Sequence, residues 1–509
     1  MLILKKVLSL ILILSALLLC GCAKTPAPAR EMPPMGGRGG APVSPAGDVQ
    51  VTPSALDTDD LFTERDMAGA IPGGAVEIAL TESGADCSSP AVTVEGSTVK
   101  ITDEGCYILS GSLEGMVIVD AEKTDKVQLV LSGARISCKS SAAIYVKQAK
   151  KVFLTLAEDS DNALSNGGSF TAIDQSNIDA VVFSKDDLTL NGSGRLSLSS
   201  PAGHGIVSKN DLAVCGGDWS VSAQRHGLCG DDSGRIGGGS VNITAGKKGI
   251  KAESEEADKG YICITGGAVT VSSEKDALSA TGEVLIAGGA VSLNRCSEGI
   301  EAPRIELRFG AVSINAGDDG INASSDKGSD CAVLISGGAL TINAGGDGID
   351  SNGALLISGG AISIFAEDSR DDSALDYDAG GSITGGSVIA CGGAEMAMSF
   401  SESSTQGSIL VNTGKQAASA VTLTDKNGNT LLSAEAPKAY SSVLISCPEI
   451  KEGGTYTLTA GSFTRELTME SLVYGEGGMG DFPGGRPEGG IPGGKPEGDF
   501  PGGRPGEKK

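Results

Sequence analysis

The side chains best suited to chemistry are Glu298, Glu301, Asp318, Asp319, Asn322, Asp347, Asp350 and Asp376. They offer carboxylate and amide oxygens only. Such a donor set suits a hard cation, above all Ca²⁺, and lacks the His and Cys ligands that zinc prefers. Each of them lies in or beside a turn in which a small residue precedes Ile or Leu, as in Asp319-Gly320-Ile321-Asn322 and Asp347-Gly348-Ile349-Asp350.

That turn recurs. The pair runs from Gly205-Ile206 through Gly227-Leu228, Ala277-Leu278 and Gly320-Ile321 to Ala374-Leu375, at intervals of 21 to 28 residues. A strand half recurs with it: GGAVTVS (266–272), FGAVSIN (309–315), GGALTIN (337–343) and GGAISIF (359–365). A period near 22 residues holds three short strands and three turns, one coil of a parallel β-helix. Alternation sends Val312, Ile314, Leu340 and Ile342 inward, and only stacking of neighbouring coils buries such a column. Outward positions form a ladder of hydroxyls and amides: Asn242, Thr270, Ser292, Ser313, Thr341 and Ser363.

In that register the acids align. Glu298, Asp319 and Asp347 share one column; Glu301, Asn322, Asp350 and Asp376 share another, with Asp318 flanking them. Coils stack about 4.8 Å apart. Two carboxylates at that distance repel by roughly 3–4 kcal/mol at an effective dielectric near 20. A run of like charges in register therefore favours an intervening Ca²⁺. The plainer alternative is a solvated acidic edge.

Other candidates are weaker. His204 and His226 lie one coil apart with no nucleophile at a recognisable elbow, and the expectation is that they cap turns. Lys247, Lys248 and Lys251 form a basic trio one coil or more from the acids, either a solvated turn or a hold for an anionic sugar. Trp219 aligns with the inward column, which makes it core rather than a sugar platform. The cysteines that follow Cys22 form no C-x-x-C pair and read as small buried hydrophobes, some of which an exported chain could pair.

The elements around the repeat follow from composition. Lys5 and Lys6 precede a thirteen-residue apolar run, Val7–Leu19, too short to span a bilayer and closed by Leu19-Cys20-Gly21-Cys22. This resembles a bacterial lipobox, which implies removal of residues 1–21 and lipidation of Cys22. Residues 22–61 are rich in Pro, Gly and Ala and read as a flexible tether. Residues 62–401 read as the β-helix, 402–473 as a small β module with a hairpin turn at Asn427-Gly428-Asn429, and 474–509 as a Pro/Gly low-complexity tail. Of 509 residues 76 are Gly and only 4% are aromatic, a balance that suits many short strands and tight turns. A net charge of −25 repels nucleic acid and anionic lipid and attracts cations. The expected location is the extracellular face of the bacterial cell membrane, reached through the lipid anchor alone.

The segments GCYILSGSL (105–113), DKVQLVLSGARI (125–136), FSKDDLTLNGSGRLSL (183–198), GIVSKNDLAVCGG (205–217) and HGLCGDDS (226–233) resemble the carbohydrate-binding-domain lipoproteins of clostridia. The resemblance covers about Phe62 to Val473. It implies a right-handed parallel β-helix related in shape to pectate lyases. It further implies binding of plant cell-wall polysaccharides, cellulose and acidic sugars such as polygalacturonate, with Ca²⁺ on the acidic turns Asp318 to Asn322 and Asp347 to Asp350. The chain departs from the family at Asn210 and at Cys229.

The leading expectation is thus a surface lipoprotein whose β-helix binds polysaccharide through Ca²⁺ without cleaving it. A polysaccharide lyase is the rival and needs a basic residue beside the ion. Arg295, Arg304 and Arg370 are the nearest candidates by coil. A structural spacer stiffened by Ca²⁺ is the third possibility. The sequence singles out no carbohydrate-contacting residue.

Overall fold

The structure, a computed structural model, describes residues 51–325 and 330–476. The targeting segment, Cys22, the tether as far as residue 50 and the tail from 477 lie outside the described residues. Stacked parallel coils form a β-solenoid of about twelve turns, as the repeat predicts. Each regular coil has three legs. In one coil they are 211–214, 218–223 and 228–230, and their equivalents one coil on are 233–236, 240–245 and 250–252. The third legs alone make a thirteen-stranded sheet.

The inward columns pair in the predicted register. Val312 lies against Leu340 and then Ile362, and Ile314 against Ile342 and then Ile364. All six are buried, and full burial of each such side chain contributes about 1.5–3 kcal/mol. Trp219 joins this core at 1% exposure, with Nε1 donating to the Gly216 carbonyl at 2.6 Å. Between the first and second legs most coils turn through a glycine with φ near +80° to +95°, among them Gly239, Gly289, Gly310 and Gly338, while Asp159 at φ +55° takes that place between Lys151–Leu156 and Asp161–Asn166. A Cβ on Gly310 would lie 2.8 Å from the Gly289 carbonyl oxygen, so both the backbone sign and the coil spacing demand glycine there.

Both ends of the stack stop being parallel. At the start, Val92–Glu95 pairs antiparallel with Thr98–Ile101. At the finish, Ser387–Gly392 pairs antiparallel with Tyr440–Ser446, which in turn pairs with Ser408–Gln416. The C-terminal module therefore continues the solenoid sheet and covers its open edge. Its remaining strands form a four-stranded sheet containing the expected hairpins, Ala420–Asp425 with Thr430–Glu435 and Thr455–Ala460 with Phe463–Thr468.

The N-terminal strand-free stretch differs from expectation. Residues 51–61, predicted as part of the flexible tether, are docked along the outer surface of the first legs. The Ser54 N–H donates to Glu306 Oε2 at 2.6 Å and its hydroxyl to Glu283 Oε1 at 2.9 Å. Arg308 donates to the Ser54 carbonyl and Arg235 to the Leu61 carbonyl. The helix Glu64–Ala68 follows, capped by Thr63. Its Asp66 is buried and bonded to Thr189 and Lys151. The composition of the stretch hid this, because the contacts use backbone groups and single polar side chains rather than an apolar pattern.

Candidate metal centre

The acids sit on the third legs and the turn that leads into them. Strand register places Lys251 beside Ser279, then Glu301, Asn322, Asp350 and Asp376 on successive coils. The other column is held by backbone bonds: Ala277 N–H to the Glu298 carbonyl, Gly299 N–H to that of Asp319, and Gly320 N–H to that of Asp347. Both predicted columns therefore exist. Asp318 stands apart: it is exposed and lines a neighbouring groove, while its carbonyl accepts the Gly345 and Gly346 N–H groups.

Side chains of the first column also hold the coils together. Asp319 Oδ1 accepts the Asp347 N–H at 2.8 Å, and Asp347 Oδ1 accepts the Ser373 N–H at 2.5 Å. Farther up the stack the imidazoles do the same. His204 Nδ1 accepts the His226 N–H at 3.2 Å, and His226 Nδ1 accepts the Lys248 N–H at 3.1 Å. The rings stack with centroids 4.8 Å apart. Burial, then His204, hold the His226 imidazole down to about 3, so it stays neutral and keeps its acceptor. The histidines cap turns, as expected.

The tightest cluster is Asp276, Glu298 and Glu301, one oxygen of each lying within 4.8 Å of the others. The basic trio does not stay clear of it. Lys248 reaches in, its Nζ 3.0 Å from Asp276 Oδ2, 2.9 Å from Glu301 Oε2 and 2.7 Å from Ser279 Oγ. Burial works to raise Glu301, but its bonds to Asp276 and Lys248 outweigh it and hold that carboxyl low. Asp276, buried and bonded to Glu301, is raised. Asp276, Lys248 and Ser279 were not among the predicted ligands, although all three stand in the same two columns of the sequence alignment.

Beyond the reach of Lys248 no cation among the described residues pairs with Glu298, Asp319, Asp347, Asp350 or Asp376. Burial first, then Asp276, Glu301 and Asp319, push Glu298 up to about 7. Burial, offset in part by the Ser373 N–H, and the charges of Asp319, Asp376 and Asp350 push Asp347 up to about 7. Asp319 and Asp350 rise to about 6, chiefly through burial, and Asp376 is raised for the same reason. Glu298 Oε2 and Asn322 Oδ1 are buried with no hydrogen-bond partner. Two orphaned oxygens among carboxylates that resist ionising fit a hard divalent cation. Glu298, Asp319 and Asn322, on two adjacent coils, are the residues that would hold it, and it would offset the charge that Asp347 and Asp350 extend on the next coil.

The class defined here is a parallel β-solenoid with an acidic ladder along one edge. A sequence profile of the family described as carbohydrate-binding domain-containing protein matches residues 95–308 and 297–422. The chain belongs to that family. A carbohydrate-binding domain-containing protein of Acetivibrio thermocellus is 36% identical over 135 residues, which is 26% of this chain and 47% of that protein. The chain thus spans about half the length of the curated relative it matches. A solved structure described as a polysaccharide lyase-like protein from C. thermocellum, gadolinium derivative, shares 33% identity, covering 48% of this chain and 95% of that one at a TM-score of 0.41.

Proposed function

We propose that the protein is a surface-anchored, calcium-dependent polysaccharide-binding protein that holds its ligand without cleaving it. The observation that carries the reading is the pair of orphaned buried oxygens, Glu298 Oε2 and Asn322 Oδ1, within an in-register acidic ladder on a carbohydrate-binding family member. A cation seated on the ladder keeps open coordination positions toward solvent. A uronate carboxylate, as in polygalacturonate, is a suitable oxygen donor for them. Anchoring rests on the basic residues, apolar run and Cys22 of the leader, which put the working domain outside the cell.

Non-catalytic action is supported by the basic residues. Arg304 donates to the Thr52 carbonyl and Arg370 pairs with Glu395. Arg295 belongs to the groove that Asp318 also lines. None of the three is tied by a hydrogen bond or ion pair to the acidic columns. The test is to incubate the purified protein with polygalacturonate in Ca²⁺ or in chelator. Calcium-dependent retention without ultraviolet-absorbing unsaturated product is expected. Accumulation of that product would make the protein a lyase.

A further inference from the structure

An open groove of about 870 Å³ lies at the turn that follows the second legs, crossing four successive coils. At the coil spacing of a β-sheet that is roughly 14 Å of length. Its walls carry the hydroxyls of Thr244, Ser272 and Ser297 and the charged groups of Glu274, Arg295 and Asp318. No hydrogen bond or ion pair engages any of these side chains within the described protein.

Arg295 is held there by unusual backbone. Its φ is +49°, a left-handed value that a side chain with a Cβ disfavours, and the strand register slips between Asn294 and Cys296. The slip turns Cys296 into the core, where it is 4% exposed, and leaves Arg295 exposed on the groove. By residue count Arg295 would stand at the inward position that Ala316 fills one coil on; the slip seats Cys296 there and turns the guanidinium outward onto the groove.

We propose that this groove is a glycan subsite, deepening the polysaccharide-binding reading on which it rests. An uncharged pyranose unit lies in it, its hydroxyls donating to the Glu274 and Asp318 carboxylates and accepting from the Arg295 guanidinium. A uronate would face two carboxylates against one guanidinium, whereas a neutral sugar satisfies all three. The groove opens beside the outward hydroxyl ladder of Thr270, Ser292 and Ser313, which offers further partners to the next units of a polymer. Acidic glycan at the ion ladder and neutral glycan at this groove are then separate events.

The test is calorimetric titration of the full chain with cellohexaose and xylohexaose, alongside calcium-dependent binding of polygalacturonate. Arg295→Gly relieves the left-handed strain, so its thermal midpoint should not fall. It is expected to weaken binding of the neutral oligosaccharide by at least tenfold and to leave polygalacturonate retention unchanged, with Arg295→Lys intermediate. Unaltered neutral-sugar affinity in Arg295→Gly overturns the proposal. So does a wild-type chain that retains polygalacturonate but binds neither oligosaccharide, a result that leaves the calcium-dependent reading standing. A wild-type chain that binds no glycan overturns both.

Discussion

The Lys248 ammonium lies 2.9 Å from Glu301 Oε2, two coils away along the stack, and 3.0 Å from Asp276 on the coil between. It is a built-in cation at the end of the acidic ladder. Lys248→Met removes the charge and keeps the stem. Both partners are partly buried, so the loss should be about 1–3 kcal/mol, between the values for exposed and buried pairs. Urea unfolding at pH 7 checks it. The deficit should be larger in chelator than in millimolar Ca²⁺, because a metal ion can replace the missing charge. Equal deficits in both would separate Lys248 from the ion site.

The pH dependence follows from the raised carboxyls. Glu298 and Asp347 titrate near 7 and Asp319 and Asp350 near 6 when folded, whereas their unfolded values lie near 4. Between about pH 4 and 7 these four carboxyls bind more protons when folded, so they make stability fall as pH rises, while His226, held down to about 3, works the other way below about 6.5 as one group against four. The ladder's contribution is fully present below the unfolded values and is lost as pH climbs through the folded ones. Thermal unfolding in chelator should show a midpoint that declines from pH 4.5 to 7.5. Calcium should restore it at pH 7.5 and have little effect at pH 4.5. A midpoint in chelator that rises across this range would contradict the assignment.

The docked stretch covers an apolar stripe. Arg235, Cys263, Leu285 and Glu306 are register partners on successive first legs. Leu61 meets the first and Ser54 the last, so residues 55–60 pass over Cys263 and Leu285, both 0% exposed. Removing the chain before Phe62 should expose the Cys263 thiol, which burial now pushes up to about 12. Thiol labelling followed by peptide mapping would show a modified Cys263 in the truncated protein and not in the full chain. Identical labelling would mean that the stretch is no cover.

The imidazole caps are structural. His226→Ala leaves the Lys248 N–H without its acceptor, a loss of about 1–3 kcal/mol for a buried donor. Chemical denaturation should report that loss. Polysaccharide retention in calcium should not change, and its disappearance in a folded variant would give the histidines a role in binding.

The coils were legible because their signal is periodic. Ile321, Ile349 and Leu375 recur beside small residues, and the register they imply is the register found. The acidic columns followed from the same alignment. What the sequence hid was reach. Lys248 is assigned by residue count to a basic coil, yet its four-carbon stem carries the charge two coils along. The docking of residues 51–61 was hidden because a Pro-rich, aperiodic stretch can still be held by backbone bonds to Arg235 and Arg308. Arg295 was singled out by coil as a basic candidate, but the register slip with positive φ that aims it into the groove leaves no mark in the residue order.

The central claim is that the ladder holds calcium. Calorimetric titration of Ca²⁺ into chelator-stripped protein, wild type against Asp319→Ala/Asp347→Ala, tests it most directly. Wild type should bind with a defined stoichiometry, and the double variant should lose at least one binding event while remaining folded. Unchanged stoichiometry and affinity in the double variant, or no heat from the wild type, would contradict the claim.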